Sequence, residues 1–349
     1  MGTDTTGGFS EDLEDVFASQ PDDPDMRESV NAWVWDRRAA IGLPRVGVEA
    51  VADQWETHDI QVNIAFADGR VFNIFGPGPR HDPFGEGGGD RPRVLGAGPL
   101  SLEVVEPYGH LRLRADGEAV ATSVTAQMEG ALPGQGVAST PVDIQLDLFP
   151  AAPPFMNGAL LEEARLVLET QDEGGLMGHP WRFEQLCRAT GTVKIGDERI
   201  TIEGGANRIR RQSIRRLATM RGHAWQAALF PSGRGFGYIA YPPRSDGKPT
   251  YNEGYVFEGD GDLVPARVVQ APWLRTLAPR GDDVTCVLET VKGSSVTIRG
   301  ETALSTFMIM PPEVGGGGMQ LQQAIVRYSW DGEESVGMLE RSTTAASLG

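Results

Sequence analysis

Apolar and polar residues alternate with period two along much of this chain, starting near Gln54. Asp59–Phe66 is a clear case: it runs into Ala67-Asp68-Gly69-Arg70, and the alternation resumes at Val71–Phe75. An Asp-Gly step between two such runs is the strongest short-range signal for a β-hairpin. The same grammar joins Thr190–Ile195 to Arg199–Glu203, Ala224–Phe230 to Phe236–Tyr241, Val284–Val291 to Ser295–Arg299 and Ala324–Trp330 to Ser335–Glu340. Leu111–Arg114 followed by Asp116-Gly117 predicts one more turn. No long segment holds a 3.6-residue period. Many short strands with tight turns predict an all-β protein of meandering antiparallel barrels or sandwiches.

An internal match divides the chain. At an offset of 164 residues, Phe66–Asp82 falls on Phe230–Asp246 with 7 of 17 positions identical. Pro150, Pro153, Pro154 and Gly174-Gly175 mark the expected joint. The expected organisation is an acidic, flexible arm over 1–28 with one short helix within Ser10–Ala18, a β domain over 29–175 and a second over 176–349. Leu160–Thr170 is expected to cross between the halves as a short helix or strand.

Length and composition fit that plan. The 349 residues, 40% of them hydrophobic, suffice for two domains with cores, and 45 glycines with 24 prolines suit a turn-rich β fold. The net charge of −17 argues against nucleic acid and anionic membrane surfaces, which need a basic face. With no long apolar run and no basic, apolar leader, the expectation is a soluble, cytoplasmic protein without stable membrane insertion. Cys187 and Cys286 are isolated thiols, expected reduced and buried, and no metal-ligand spacing occurs. Neither nucleotide fingerprint is present, and there is no GxSxG elbow.

Candidate chemistry concentrates in Trp181–Gln226. Arg182, Glu184 and Leu186 share one face of an extended strand, and Phe183, Gln185 and Cys187 the other. Glu184 reads either as a salt bridge to a nearby arginine or as a catalytic carboxylate in an apolar pocket. Six arginines lie within residues 208–221. They read as anchors for carboxylates and loop carbonyls, or, at Arg208 or Arg210, as holders of an anionic or carbonyl-bearing substrate. His223, Trp225, Ala227 and Leu229 share one strand face, expected to be a barrel interior. There His223 is either an acid–base group beside an aromatic wall or a structural histidine. Tyr328 and Trp330 are core or ligand wall.

Several of these residues carry a family resemblance. Trp181-Arg-Phe-Glu-Gln185, Gly191-Thr-Val193, the arginine-rich segment ending in Ser213, the Trp225 strand and an Asp-Gly hairpin together resemble the second half of the hydroxyneurosporene synthase/AttH-like superfamily. The likeness covers Trp181–Arg341. It implies two consecutive lipocalin-like barrels and cofactor-free hydration, cyclisation or isomerisation of a hydrophobic isoprenoid, steroid-like or polyketide-like molecule. Many members carry an Arg-Asp-His-Ser-Trp-Gly-like motif. Here the stretch reads Arg210-Arg-Gln-Ser-Ile-Arg215, so the acid, histidine and tryptophan are missing and their roles do not carry over.

The resulting expectation is a hydratase, cyclase or isomerase. Glu184 or His223 moves the proton, Arg208 or Arg210 orients a polar substrate end, and Trp225 and Tyr328 form the aromatic wall. The rivals are a non-catalytic carrier of a lipophilic ligand and a purely structural protein with filled barrels. A carrier needs an almost wholly apolar pocket, whereas an enzyme places a titratable group against the cavity. A homodimer is left open.

Overall fold

The computed structural model describes residues 3–136, 138–170, 176, 178–214, 221–310 and 318–344. The first part of the chain forms β1 (Met26–Asp36), β2 (Ile41–Val51), β3 (Thr57–Phe66), β4 (Arg70–Pro79), β5 (Val94–Ala97), β6 (Leu100–Glu106), β7 (His110–Ser123), β8 (Ala138–Pro150), β9 (Phe155–Met156), β10 (His179–Ile195) and β11 (Glu198–Ile214). Two short helices, α1 (Val124–Met128) and α2 (Glu162–Leu168), interrupt it. All pairings are antiparallel, in the order β4-β3-β2-β1-β11-β10-β8-β7-β6-β5. A further pairing of Arg70–Asn73 with Val120–Ser123 joins β4 to β7. The path from β4 round to β7 therefore closes into an eight-stranded ring, with the β5–β6 hairpin attached to its rim.

The second part forms β12 (Gly222–Leu229), β13 (Gly235–Ala240), β14 (Asn252–Phe257), β15 (Val264–Gln270), β16 (Cys286–Thr290), β17 (Ser295–Met310), β18 (Met319–Trp330) and β19 (Glu333–Thr344). These strands pair in chain order, and β19 returns to β12, giving a closed up-and-down barrel. The fold is thus two consecutive lipocalin-like barrels. Sheet membership changes after β11, later than the proline-rich joint expected from sequence, because β10 and β11 complete the first barrel by pairing with β8 and β1. The 164-residue offset lays the third and fourth strands of the first ring over the first and second of the other, so it does not equate barrel positions. Asp116-Gly117 does not turn: β7 runs through it, paired to β8 throughout. Gly117 is there for close approach, since a Cβ would come within 2.8 Å of Pro99.

Three clusters make the core. Val30, Ala32, Val34, Val62, Ile64, Leu113, Ile144 and Cys187 belong to the packed interior of the first barrel. Phe236, Tyr238, Val256, Cys286, Ile298, Val326 and Tyr328 belong to that of the second. The third cluster lies between the barrels and joins Trp33, Trp35, Leu186 and Ile209 to Trp225, Leu229, Ile325 and Met338. Strands at this interface are buried on both faces, and all eight residues of β12 are buried. Both cysteines are free, one in each barrel, and burial pushes the Cys187 thiol up to about 12.

The acidic N-terminal segment packs against the first barrel. A single 3-10 turn, Glu11–Glu14, delivers a fully buried Glu14 to its interior. Arg208 grips that carboxylate bidentately, at 2.8 and 2.5 Å, and Arg210 pairs with Glu28 at 2.6 Å. Burial works to raise the Glu14 pKa, but Arg208 and the Tyr108 N–H outweigh it and hold the group below its usual range. The anchor reading of the arginines therefore describes Arg208 and Arg210, which hold the arm. Arg215 lies outside the described residues.

Candidate active site between the barrels

The candidate site is a crevice between the outer faces of the two barrels. From the first barrel it is lined by Ser29, Asn31 and Trp33 on β1, Arg45 on β2, Arg182 on β10, and Ile209 and Arg211 on β11. From the second come His223 and Trp225 on β12, Ile239 and Tyr241 on or just after β13, and Glu340 on β19. The cavity volume is about 60 Å³, enough in this closed form for the reacting end of a substrate and not for a whole polyene. Strand periodicity explains the membership. Residues 29, 31 and 33 alternate with the interior residues Val30, Ala32 and Val34, and His223 and Trp225 alternate with Ala224 and Gln226.

The His223 face was expected to point into a barrel. It points out of one, because the small and polar partners of that strand, Ala224, Gln226 and Ala228, fill the interior. Gln226 is tied there to the Val284 carbonyl at 2.9 Å and to the Tyr238 hydroxyl at 2.8 Å.

His223 is held at both ring nitrogens. Its Nε2 lies 3.0 Å from Glu340 Oε1, and its Nδ1 lies 2.7 Å from Ser342 Oγ. Glu340 and Ser342 are neighbours on one face of β19, and Ser342 stands opposite His223 in the β12–β19 register. Burial alone would raise the Glu340 pKa. The hydrogen bond and charge of His223, with Arg45 and Gln323, overcome that and hold it at about 2. Glu340 is therefore an anion at neutral pH, facing His223 Nε2, while Nδ1 faces the Ser342 hydroxyl.

A chain of buried amides runs outward from this carboxylate. Gln323 Nε2 donates to Glu340 Oε2 (2.6 Å), Asn63 Nδ2 to Gln323 Oε1 (2.9 Å) and Asn73 Nδ2 to Asn63 Oδ1 (2.7 Å). Gln127 Nε2 donates to Asn73 Oδ1 (3.3 Å), and the Phe307 N–H donates to Gln127 Oε1 (3.1 Å). Every donor points toward Glu340, so each bond polarises the next. The chain crosses from barrel to barrel at Asn63–Gln323.

Two tryptophans form the wall. Trp33 and Trp225 meet edge-on with centroids 4.6 Å apart. The Arg182 guanidinium lies over Trp225 and that of Arg45 over Trp33. Arg45 sits in an irregularity of β2, where the register with β3 slips between Gly42 and Val46, and its φ of 79° is rare for a side-chain-bearing residue. Such bulges re-aim side chains, and this one turns Arg45 into the crevice.

The remaining sequence candidates lie elsewhere. Glu184 is behind the wall, spent on Arg182 (2.6 Å), Asn207 (2.9 Å) and the Trp225 indole N–H (2.7 Å). It is the salt-bridged carboxylate, and it orients Trp225. Arg208 and Arg210 are inside the first barrel with the arm. Tyr328 is core of the second barrel, edge-on to Phe236, with its hydroxyl on the Met338 carbonyl at 3.0 Å. Only His223 and Trp225 of the six expected residues line the crevice. Trp33, Arg45, Glu340 and Ser342 escaped the sequence. The Trp33-Val-Trp35 alternation and the Pro44-Arg45 interruption of a strand pattern were the available signals.

No curated protein matches the chain. Over residues 12–345 it matches the family described as a domain of unknown function, DUF7064. The chain belongs to this family. This DUF7064 protein shares its fold with an AttH candidate from Nitrosomonas europaea, at 13% identity, 90% and 91% coverage of the two chains and a TM-score of 0.55. It also resembles CghA, at 9% identity, 91% and 88% coverage and a TM-score of 0.52. Kievitone hydratase from Nectria haematococca matches at 8% identity, 99% and 97% coverage and a TM-score of 0.50. The likeness is one of fold. No helix among the described residues is long and apolar enough to cross a membrane.

Proposed function

We propose that this DUF7064 protein is an acid–base enzyme of the hydratase or isomerase type, acting on a hydrophobic small molecule in the crevice between its barrels. The observation that carries the reading is the His223–Glu340 pair facing a cavity walled by Trp33 and Trp225. Glu340 holds the imidazole by Nε2. Nδ1 takes or delivers the proton once the Ser342 hydroxyl turns aside or relays it. The tryptophans and Ile209 and Ile239 exclude water from the reacting atoms. That one fold neighbour is named a hydratase is in keeping with this chemistry. A carrier is disfavoured by the polar lining: Ser29, Asn31, Arg45, Arg182, Arg211, His223 and Glu340 are costly to place against a purely lipophilic ligand.

The test begins with organic extraction of the purified protein and mass spectrometry of whatever co-purifies, followed by turnover of that compound. His223→Gln is expected to lower kcat by about 10²–10⁴-fold, measured below its own melting transition so that folded protein is compared. Turnover unaffected by His223→Gln would defeat the reading.

A further inference from the structure

The crevice holds polar atoms that the acid–base pair does not use. Trp33 is 1% exposed, yet its Nε1 has no hydrogen-bond partner. Arg45 Nε and Ser29 Oγ, on the same lining, are also buried without partners. Folded proteins leave few buried donors unpaired, because each forfeits its hydration for nothing. Here they coincide with a strained backbone: the φ of 79° at Arg45 is what sends this guanidinium to the cavity. An unpaired indole N–H and an unpaired guanidinium N–H on the lining of one crevice, the guanidinium 5.8 Å from the Trp33 ring centroid, describe the seat of an oxygen atom that gains negative charge.

We propose that Trp33 Nε1 and Arg45 Nε form an oxygen-binding subsite, and that the substrate is a hydrophobic ketone or enone whose carbonyl oxygen sits there. The inference rests on the acid–base reading of His223. The charges around the subsite narrow the ligand class. An ammonium brings only donors to atoms that are themselves donors. A carboxylate brings a full charge beside Glu340, whose Oε2 already lies 3.9 Å from Arg45 Nη1. A carbonyl is neutral on entry and acquires charge only as it reacts, which is where preorganised donors act most strongly. In the step, His223 Nδ1 takes a proton from the carbon next to the carbonyl. The C–H electron pair becomes the C=C bond, and the C=O π pair moves onto the oxygen facing Trp33 and Arg45. Return of the proton to the same carbon, or to a conjugated one, restores the imidazole and gives exchange or isomerisation without a co-reactant. In conjugate hydration, water adds at the β-carbon of an enone, its second proton reaches the α-carbon by way of His223, and the same oxygen holds the charge between the two events.

Phenols mimic the enolate, so the test uses fluorophenols of increasing acidity, with 4-fluorotoluene as the oxygen-free control, read by ¹⁹F NMR titration of the full-length protein. The phenols are expected to bind more tightly as their acidity rises. Trp33→Phe and Arg45→Met should each weaken them about tenfold while leaving 4-fluorotoluene nearly unchanged. If Trp33→Phe does not fold, Arg45→Met carries the comparison. Equal binding of phenol and control, no phenol binding at all, or equal weakening of both probes overturns the subsite. Deuterium incorporation next to the carbonyl of cyclohexanone tests the underlying reading separately. Exchange that His223→Gln abolishes, with phenol preference retained, upholds both. Phenol preference without exchange in the unaltered protein keeps the oxygen subsite and defeats the acid–base role.

Discussion

Two buried titratable groups give the protein opposite dependences on their partners, although both lose stability in acid. Glu340 is held at about 2 against an ordinary value of 4.5, because His223 and Arg45 outweigh its burial. Its contribution is complete above pH 4.5 and disappears as pH falls toward 2, a difference of about 3 kcal/mol. Glu340→Gln should therefore flatten the acid-unfolding curve in that window, as read by circular dichroism. His58 is buried edge-on against Trp55. Burial, and then the charge of Arg80, lower its pKa below 6.5, so the unfolded chain takes up the proton first. Its stability is complete above pH 6.5 and declines below it. His58→Phe keeps the ring contact and should remove the decline just below pH 6.5 while leaving the Glu340 window unchanged.

The informative elements are β1, β2, β12 and β19, whose outer faces form the crevice. The β2 irregularity is braced by Asn63, whose Nδ2 donates to the Pro44 carbonyl at 2.9 Å as well as to Gln323. One side chain thus holds the bulge that aims Arg45 and the amide chain that ends on Glu340. Asn63→Leu would remove the donor to the Pro44 carbonyl and the acceptor of Asn73 Nδ2, and leave Gln323 Oε1 only the 3.4 Å bond from Gln61 Nε2. A loss of about 2–4 kcal/mol is expected in denaturant titrations, together with a changed pH–rate profile, which a packing defect alone would not produce. Of the crevice strands, β12 and β19 were legible from alternation and turn chemistry, whereas β1 and β2 precede Gln54, where the clear alternation starts. Asp116-Gly117 was misread because a glycine that makes room for Pro99 looks the same in sequence as one that makes a turn.

At the scale of the molecule, the site exists because two barrels meet. Gly42 marks one of the closest approaches: a Cβ there would lie 2.3 Å from Ile325 Cγ1 across the interface. Gly42→Ala should destabilise the protein by about 1–3 kcal/mol through overpacking. Adding Ile325→Val should recover part of the loss, which a double-mutant cycle by thermal melting would reveal. Independent, additive effects would mean that the two residues do not press on each other.

Period-two alternation and turn chemistry were enough, in the sequence alone, to determine an all-β chain; two barrels came from the family resemblance, because an open sandwich has the same strand grammar. Strand phase was enough to place Arg182 with Glu184, and His223 with Trp225, on shared faces. The thiols of Cys187 and Cys286 were rightly read as buried and unpaired. What alternation cannot state is the sign of a face, whether it points into a barrel or out toward its neighbour. At a two-sided interface both faces mix apolar and polar residues, so polarity does not mark the inward one. Tertiary structure therefore decided that His223 faces out, that Arg208 and Arg210 hold the N-terminal arm, and that Tyr328 is core. It also supplied Glu340, 117 residues beyond His223 in the chain, because a barrel closes its last strand on its first.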